Sequence, residues 1–167
     1  NLIACSLFGD GAAAVVLSGR ALAGAGPEVL GSRSVFFPDT EDAMGWDVGD
    51  AGFRVILSGE VPSLARAIRP HVDSFLSEHG LVLKDVERFV CHPGGPRVLE
   101  AFEEVLEQPR RAFEMTWKSL WELGNLSSAS VLMVLADTLD EEPASGTYGL
   151  MIAMGPGFCA ELLLLRW

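Results

Sequence analysis

The sequence predicts an α/β fold with helices layered over a mixed five-stranded sheet. Three observations carry this. Apolar runs at 29–37, 52–58, 89–91, 148–154 and 159–165 have the length and composition of buried strands. Between them, 60–79 and 98–106 space their apolar residues for one face of a helix. The last two runs flank Gly155-Pro156-Gly157, a turn too tight for a crossover, so they form an antiparallel hairpin within a layered α/β domain.

The elements follow in order. Gly9-Asp10-Gly11 is a tight turn into Ala12–Leu17, which reads as a strand buried on both faces; no Gly-Lys-Ser/Thr follows, so this is not a phosphate loop. Gly19–Gly26 is a Gly/Ala-rich surface turn, and Pro38–Asp50 an acidic loop with one tryptophan. From Glu60 a helix runs to about His79 with Val61, Leu64, Ile68, Val72, Phe75 and Leu76 as its buried stripe; Pro70 kinks it and Gly80 ends it. His71 and His79 on this helix match no motif and read as solvated. After 89–91, Pro93-Gly94-Gly95-Pro96 forces a turn, and Val98, Ala101, Phe102, Val105 and Leu106 then share a helical face opposite four glutamates. Trp117–Leu123 is a short helix leading to Gly124-Asn125, where Ser127 or Ser128 caps the next helix. That helix, Ser128–Leu139, is apolar nearly all round, as expected at the centre of a molecule.

Composition narrows the function. Twelve basic against twenty-three acidic residues give a net charge of −11, which argues against a nucleic-acid surface. No apolar run approaches the roughly 18 residues of a membrane span, so the mean hydropathy of +0.30 reflects a large core. Leu2-Ile3-Ala4-Cys5 mimics a lipidation box, but no basic segment or long apolar region precedes it. Cys5, Cys91 and Cys159 are an odd number in apolar surroundings with no C-x-x-C pair, which fits reduced thiols in the cytoplasm and gives metal binding no support. Cys91 beside His92 is no dyad, because adjacent strand residues face opposite ways.

Chemistry concentrates at two turns. His92 stands at the end of a buried strand, where the Pro-Gly-Gly-Pro turn leaves its imidazole facing beyond the sheet. Asn125 presents a carboxamide at a helix start, separated from His92 by enough chain for one helix and a return. Read singly, each fits a structural role: a core histidine and a helix-entry residue.

Together with their flanks, His92-Pro93-Gly94-Gly95-Pro96, Gly124-Asn125-Leu126-Ser127-Ser128-Ala129, Leu7-Phe8-Gly9-Asp10-Gly11-Ala12-Ala13-Ala14 and Gly155-Pro156-Gly157 resemble, in order and over nearly the whole chain, the C-terminal part of the type III polyketide synthases, the chalcone and stilbene synthase family. The resemblance implies half of a thiolase-like fold. Residues 1–20 would end its N-terminal half, with Ala12–Leu17 as the last strand there, and 21–167 would form the C-terminal domain. It also implies decarboxylative condensation of malonyl-CoA onto an acyl-CoA-derived starter, with His92 and Asn125 catalytic and Phe8 and Phe53 as gatekeepers. Ser127, Met154, Gly155, Pro156 and Gly157 would shape the cavity, and Arg97 would meet the coenzyme A phosphates or simply begin a helix in solvent. Coenzyme A thioesters are then substrates and no resident cofactor or metal is expected. The implied partners are the missing N-terminal half, which would carry the acylated cysteine, and a second copy in a cytoplasmic homodimer. Ala153-Met154 stand where plant members have Gly-Phe, and Ala4 where a cavity glycine is usual, so the resemblance is closer to bacterial members. Two other readings are a ketoacyl synthase III, whose usual turn is His-Gln-Ala-Asn, and a module that kept the fold and lost catalysis.

Overall fold

The computed structural model describes residues 2–22, 24, 26–50 and 52–167. Ala23 and Ala25 of the expected surface turn, and Asn1, lie outside the described residues. One mixed sheet organises the rest. Its order is β1 (Glu28–Phe36), β6 (Cys159–Arg166), β5 (Tyr148–Gly155), β4 (Val86–Cys91), with β4 and β5 parallel and the other neighbours antiparallel.

The main sheet has four strands, not five. The fifth expected strand, β3 (Gly52–Leu57), pairs instead with β2 (Met44–Gly49) as a separate antiparallel ribbon. Gly45 and Gly49 hid β2 inside what reads as an acidic loop. Ala12–Leu17 is not a strand either: no ladder pairs with it among the described residues, and Val15, Val16 and Leu17 are 56%, 94% and 78% exposed. An apolar run becomes a strand only where another backbone takes up its N–H and C=O groups. Ahead of it, α1 (Leu2–Leu7) is a helix the sequence did not announce.

Both faces of the sheet are apolar, which is why its inner strands read as near-continuous hydrophobic runs. Phe89, Cys91, Leu150, Ile152, Leu162 and Leu164 point one way, onto Ile68, Val72, Phe75, Leu76 and Phe102. The helices behind these residues are α2 (Val61–Arg66), α3 (Arg69–Glu78) and α4 (Pro96–Val105). Pro70 separates α2 from α3, since it has no N–H to continue the ladder. His71 and His79 are half-buried, not solvated: the His71 ring meets Phe37 edge-on, and His79 Nδ1 lies 2.9 Å from the Phe75 carbonyl oxygen.

The alternate residues Val90, Met151 and Leu165 point the other way, onto Val131 and Val134 of α6 (Ser130–Asp140). This helix is half-open, with Ala136 and Leu139 exposed, because it has a sheet on one side only. Before it, α5 (Glu114–Leu123) leads into the Gly124-Asn125 turn.

Candidate active site

His92 follows the last residue of β4 and keeps the ladder going: its N–H donates to the Ile152 carbonyl at 2.8 Å. Since Cys91 packs on the α3/α4 side and Val90 on the α6 side, alternation turns the His92 ring toward α6. The turn then closes by Gly94 N–H donating to the His92 carbonyl at 2.8 Å, and Gly95, with φ of 151°, releases the chain into α4. Any side chain at Gly94 would stand 3.5 Å from His92 Cδ2 and 3.7 Å from Nε2, so the ring lies along the Gly94 backbone.

Asn125 reaches the same residue from the other side. Its Nδ2 donates to the Gly94 carbonyl at 3.3 Å, and its Oδ1 accepts from the Ser127 N–H at 2.8 Å. That second contact fixes which way the buried amide points, leaving one Nδ2 hydrogen for another acceptor. Ser127 adopts φ of 57° to supply the N–H, in an Asx-type turn. Neither Ser127 nor Ser128 caps the helix by side chain as the sequence implied. Instead, the buried Ser130 hydroxyl accepts from the Leu126 N–H at 2.7 Å, which holds the turn to the first residue of α6.

Phe8 belongs to this junction. It forms a parallel bridge with Asn125, in which Asn125 N–H donates to Leu7 C=O at 2.8 Å and Gly9 N–H donates to Asn125 C=O at 3.0 Å. Glycine permits the approach: a Cβ on Gly124, whose φ is 74°, would lie 2.8 Å from the Leu7 oxygen, and one on Gly9 3.0 Å from the Leu123 oxygen. The two Gly-containing motifs are therefore the two halves of one backbone contact.

The remaining expected site residues fall around this junction or away from it. Gly155-Pro156-Gly157 continues β5 past Ile152, so the hairpin turn overhangs the same end of the sheet as His92. Met154 packs with the α3/α4-side core, whereas Ala153, absent from the expected set, packs on the α6 side that His92 faces. Arg97 is exposed at the start of α4 and enters no ion pair among the described residues. Phe53 is 74% exposed on the ribbon and stacks edge-on against Trp46, with ring centroids 6.2 Å apart. Trp46 was missed because its strand was missed. Leu7, Pro96 and Gly124 also line an open groove of about 900 Å³, together with Arg110, Trp117 and Trp121.

Burial pulls the His92 pKa down to about 4, so the ring is neutral near pH 7. Its nitrogens bond to no protein group among the described residues and are free for a ligand. The Cys91 thiol is fully buried and its pKa is pushed far up by desolvation, which removes it as a nucleophile. Cys5 is exposed on α1 and Cys159 sits in the hairpin with its pKa raised, first by burial and then by the charge of Glu161. No group of three or more His, Cys, Asp or Glu is placed to hold a metal among the described residues, and no helix is long and apolar enough to cross a membrane.

Residues 28–167 match the family described as chalcone and stilbene synthases, C-terminal domain. The whole chain aligns at 49% identity with a 1,3,6,8-tetrahydroxynaphthalene synthase of Streptomyces peucetius subsp. caesius, covering 46% of that protein. A 3,5-dihydroxyphenylacetyl-CoA synthase of Amycolatopsis orientalis is 38% identical over 97% of the chain and is covered to 45%. The crystal structure of the tetrahydroxynaphthalene synthase of Streptomyces coelicolor A3(2), a bacterial type III polyketide synthase, superimposes with a TM-score of 0.84 at 34% identity over 89% of this chain and 43% of that one. The chain thus spans about half the length of the curated relatives it matches.

Proposed function

The chain belongs to the chalcone and stilbene synthase family, and from that premise we propose that it is the C-terminal part of a type III polyketide synthase. The full-length enzyme would extend an acyl-CoA-derived starter with malonyl-CoA by decarboxylative condensation and then cyclise the product. The observation that carries this reading is the meeting of the His92 ring and the Asn125 carboxamide at Gly94, with Phe8 bridged to Asn125.

In this reading malonyl-CoA loses carbon dioxide, and the electrons of the broken C–C bond pass to the thioester oxygen as an enolate. His92 and Asn125 each donate a hydrogen bond to that oxygen. A preorganised donor of this kind typically contributes about 3 to 4 kcal/mol. The amide suits the task because it cannot be deprotonated by the substrate, and the contact from the Ser127 N–H keeps its NH₂ aimed at Gly94. The depressed basicity of His92 means that only a nearby thiolate would make it an imidazolium, and such pairing would activate a cysteine for acylation. That cysteine would lie in the upstream half, as the family resemblance implies: Cys91 is buried in the α3/α4-side core, and the Cys159 thiol donates to the Pro156 carbonyl within the hairpin.

The finer assignments belong to the same proposal. Phe8 sits at the mouth of the junction as a gatekeeper; Phe53, out on the ribbon, would reach the site only when the upstream half packs against it. Ser127, Met154 and Gly155-Pro156-Gly157 bound the cavity, and Arg97 offers an unpaired cation to the coenzyme A phosphates. We place the boundary between the halves at residue 20, and read the protein as a cytoplasmic homodimer that uses coenzyme A thioesters as substrates. The similarity to a tetrahydroxynaphthalene synthase makes a polyhydroxylated aromatic the first product to look for.

The test is incubation of the full-length enzyme with malonyl-CoA, without carrier protein, following coenzyme A release and product mass. Extension products that vanish in His92→Ala and Asn125→Ala support the reading. Turnover requiring malonyl on a carrier protein would sink it in favour of a ketoacyl synthase.

A further inference from the structure

Strand register runs a line of side chains from His92 across the sheet. Cys91 pairs with Ile152, so the next pair along places Ala153 beside His92; Ala153 pairs with Glu161, and Glu161 with Ser34. Alternation puts all four on the α6 side: Val90, Met151 and Leu165 pack there, each an even number of residues from His92, Ala153 and Glu161. Adjacent strands are about 4.8 Å apart, so the Glu161 backbone lies roughly 10 Å from that of His92, along one row of one face.

Three further features set Glu161 apart from an ordinary surface glutamate. Its Oε2 is held by the Ser34 hydroxyl at 2.7 Å, from the neighbouring strand rather than from a loop. It enters no ion pair among the described residues, although Arg20, Arg33, Arg54, Arg66, Arg69 and Arg166 all find carboxylates elsewhere. And on β6 the α6-side cluster holds Leu163 and Leu165 but not Glu161, so the row is open at Glu161 and Ser34, both exposed. Its charge is felt at that turn, where it helps raise the Cys159 pKa.

We infer that Glu161 is a catalytic residue of ring closure, the base that acts on the grown chain after His92 and Asn125 have extended it. The inference rests on the polyketide synthase reading. A poly-β-keto chain anchored near His92 and extended by a few two-carbon units along the row brings a methylene flanked by two carbonyls to Glu161. The carboxylate takes a proton from that methylene. The electron pair of the broken C–H bond forms the new C–C bond to a ketone carbon elsewhere in the chain, and the ketone's π electrons move to its oxygen. That oxygen then recovers the proton from the Glu161 carboxylic acid. Atoms and charge balance with no other reactant, and Ser34 keeps the accepting oxygens oriented.

The experiment compares full-length wild type, Glu161→Gln and Ser34→Ala for malonyl-CoA consumption and for product distribution by mass spectrometry, with thermal melts of each. A positioned base contributes ~10²–10⁴-fold, so Glu161→Gln should keep consuming malonyl-CoA near the wild-type rate while the carbocyclic product falls about a hundredfold relative to lactones and hydrolysed linear chains. Ser34→Ala should shift the ratio in the same direction by less; were Glu161→Gln to melt early, the exposed Ser34 variant carries the test. An unchanged product ratio in the folded variants overturns the inference, as does loss of malonyl-CoA consumption in a natively melting Glu161→Gln. Failure of the wild type itself to consume malonyl-CoA would instead count against the function proposed above.

Discussion

The His92 imidazole and the Asn125 carboxamide, which meet at Gly94, differ in what acid does to them. Asn125 is indifferent to pH, whereas His92 gains a proton whose cost burial has raised, moving its pKa from the usual 6.5 to about 4. Titration of the ring resonances by NMR should give a midpoint near 4; a midpoint near 6.5 would mean that the ring is open to water. The linkage has a definite sign. The unfolded chain binds the proton more readily, so stability is intact above about pH 6.5 and is lost as pH falls toward 4, by at most about 3 kcal/mol. Substituting Asn125→Ala removes one donor and the anchor to Gly94. Condensation by the full-length enzyme should fall about 10²- to 10³-fold in kcat, with Ser127→Ala nearly silent because the backbone N–H, not the hydroxyl, holds the amide.

At the scale of elements, the site is a contact between two turns, and glycine sets its closeness. Gly124→Ala puts a Cβ 2.8 Å from the Leu7 oxygen at φ of 74°. It should cost about 1–3 kcal/mol and part the Phe8–Asn125 bridge. Gly146→Ala is the control: φ is positive there too, at 90°, but nothing lies within 4 Å, so only backbone strain is added and activity should survive. Urea unfolding of both variants, with turnover of the full-length enzyme, separates the two effects. Punctuation of this kind made most of the architecture legible from sequence: the Pro-Gly-Gly-Pro turn after β4, the Gly-Pro-Gly hairpin and the Pro70 break all lie where the residues place them. What pairs with what was not legible. A strand reads as an apolar run, and the run at 52–57 says nothing about joining the main sheet or the ribbon with Met44–Gly49. Parity was equally hidden: only the register shows that Ala153 and Glu161 share the side of the sheet that His92 faces, while Met154 packs with the core on the other.

Over the whole molecule, apolar surface lies open in three places among the described residues. Val15, Val16 and Leu17 stand exposed outside any helix or strand, α6 has one face without a sheet, and the Trp46–Phe53 pair is unburied. Scattered exposed apolar residues need no explanation, but a run of them in unpaired backbone offers a template for another strand. The chain covers 46% of a 49%-identical relative, so a strand supplied from the remainder of such a protein would pair this backbone. Two consequences can be measured on the 167-residue chain. It should associate with rising concentration in sedimentation experiments, and Val16→Asp, placing a charge at a 94% exposed position, should suppress that association with little change in unfolding free energy. It should also release no coenzyme A from an acyl-CoA and malonyl-CoA, since Cys91 is sealed in the core and neither Cys5 nor Cys159 lies on the His92 row. Turnover by this chain alone would require one of these thiols to reach the imidazole, and would overturn the assignment of the nucleophile to the other half.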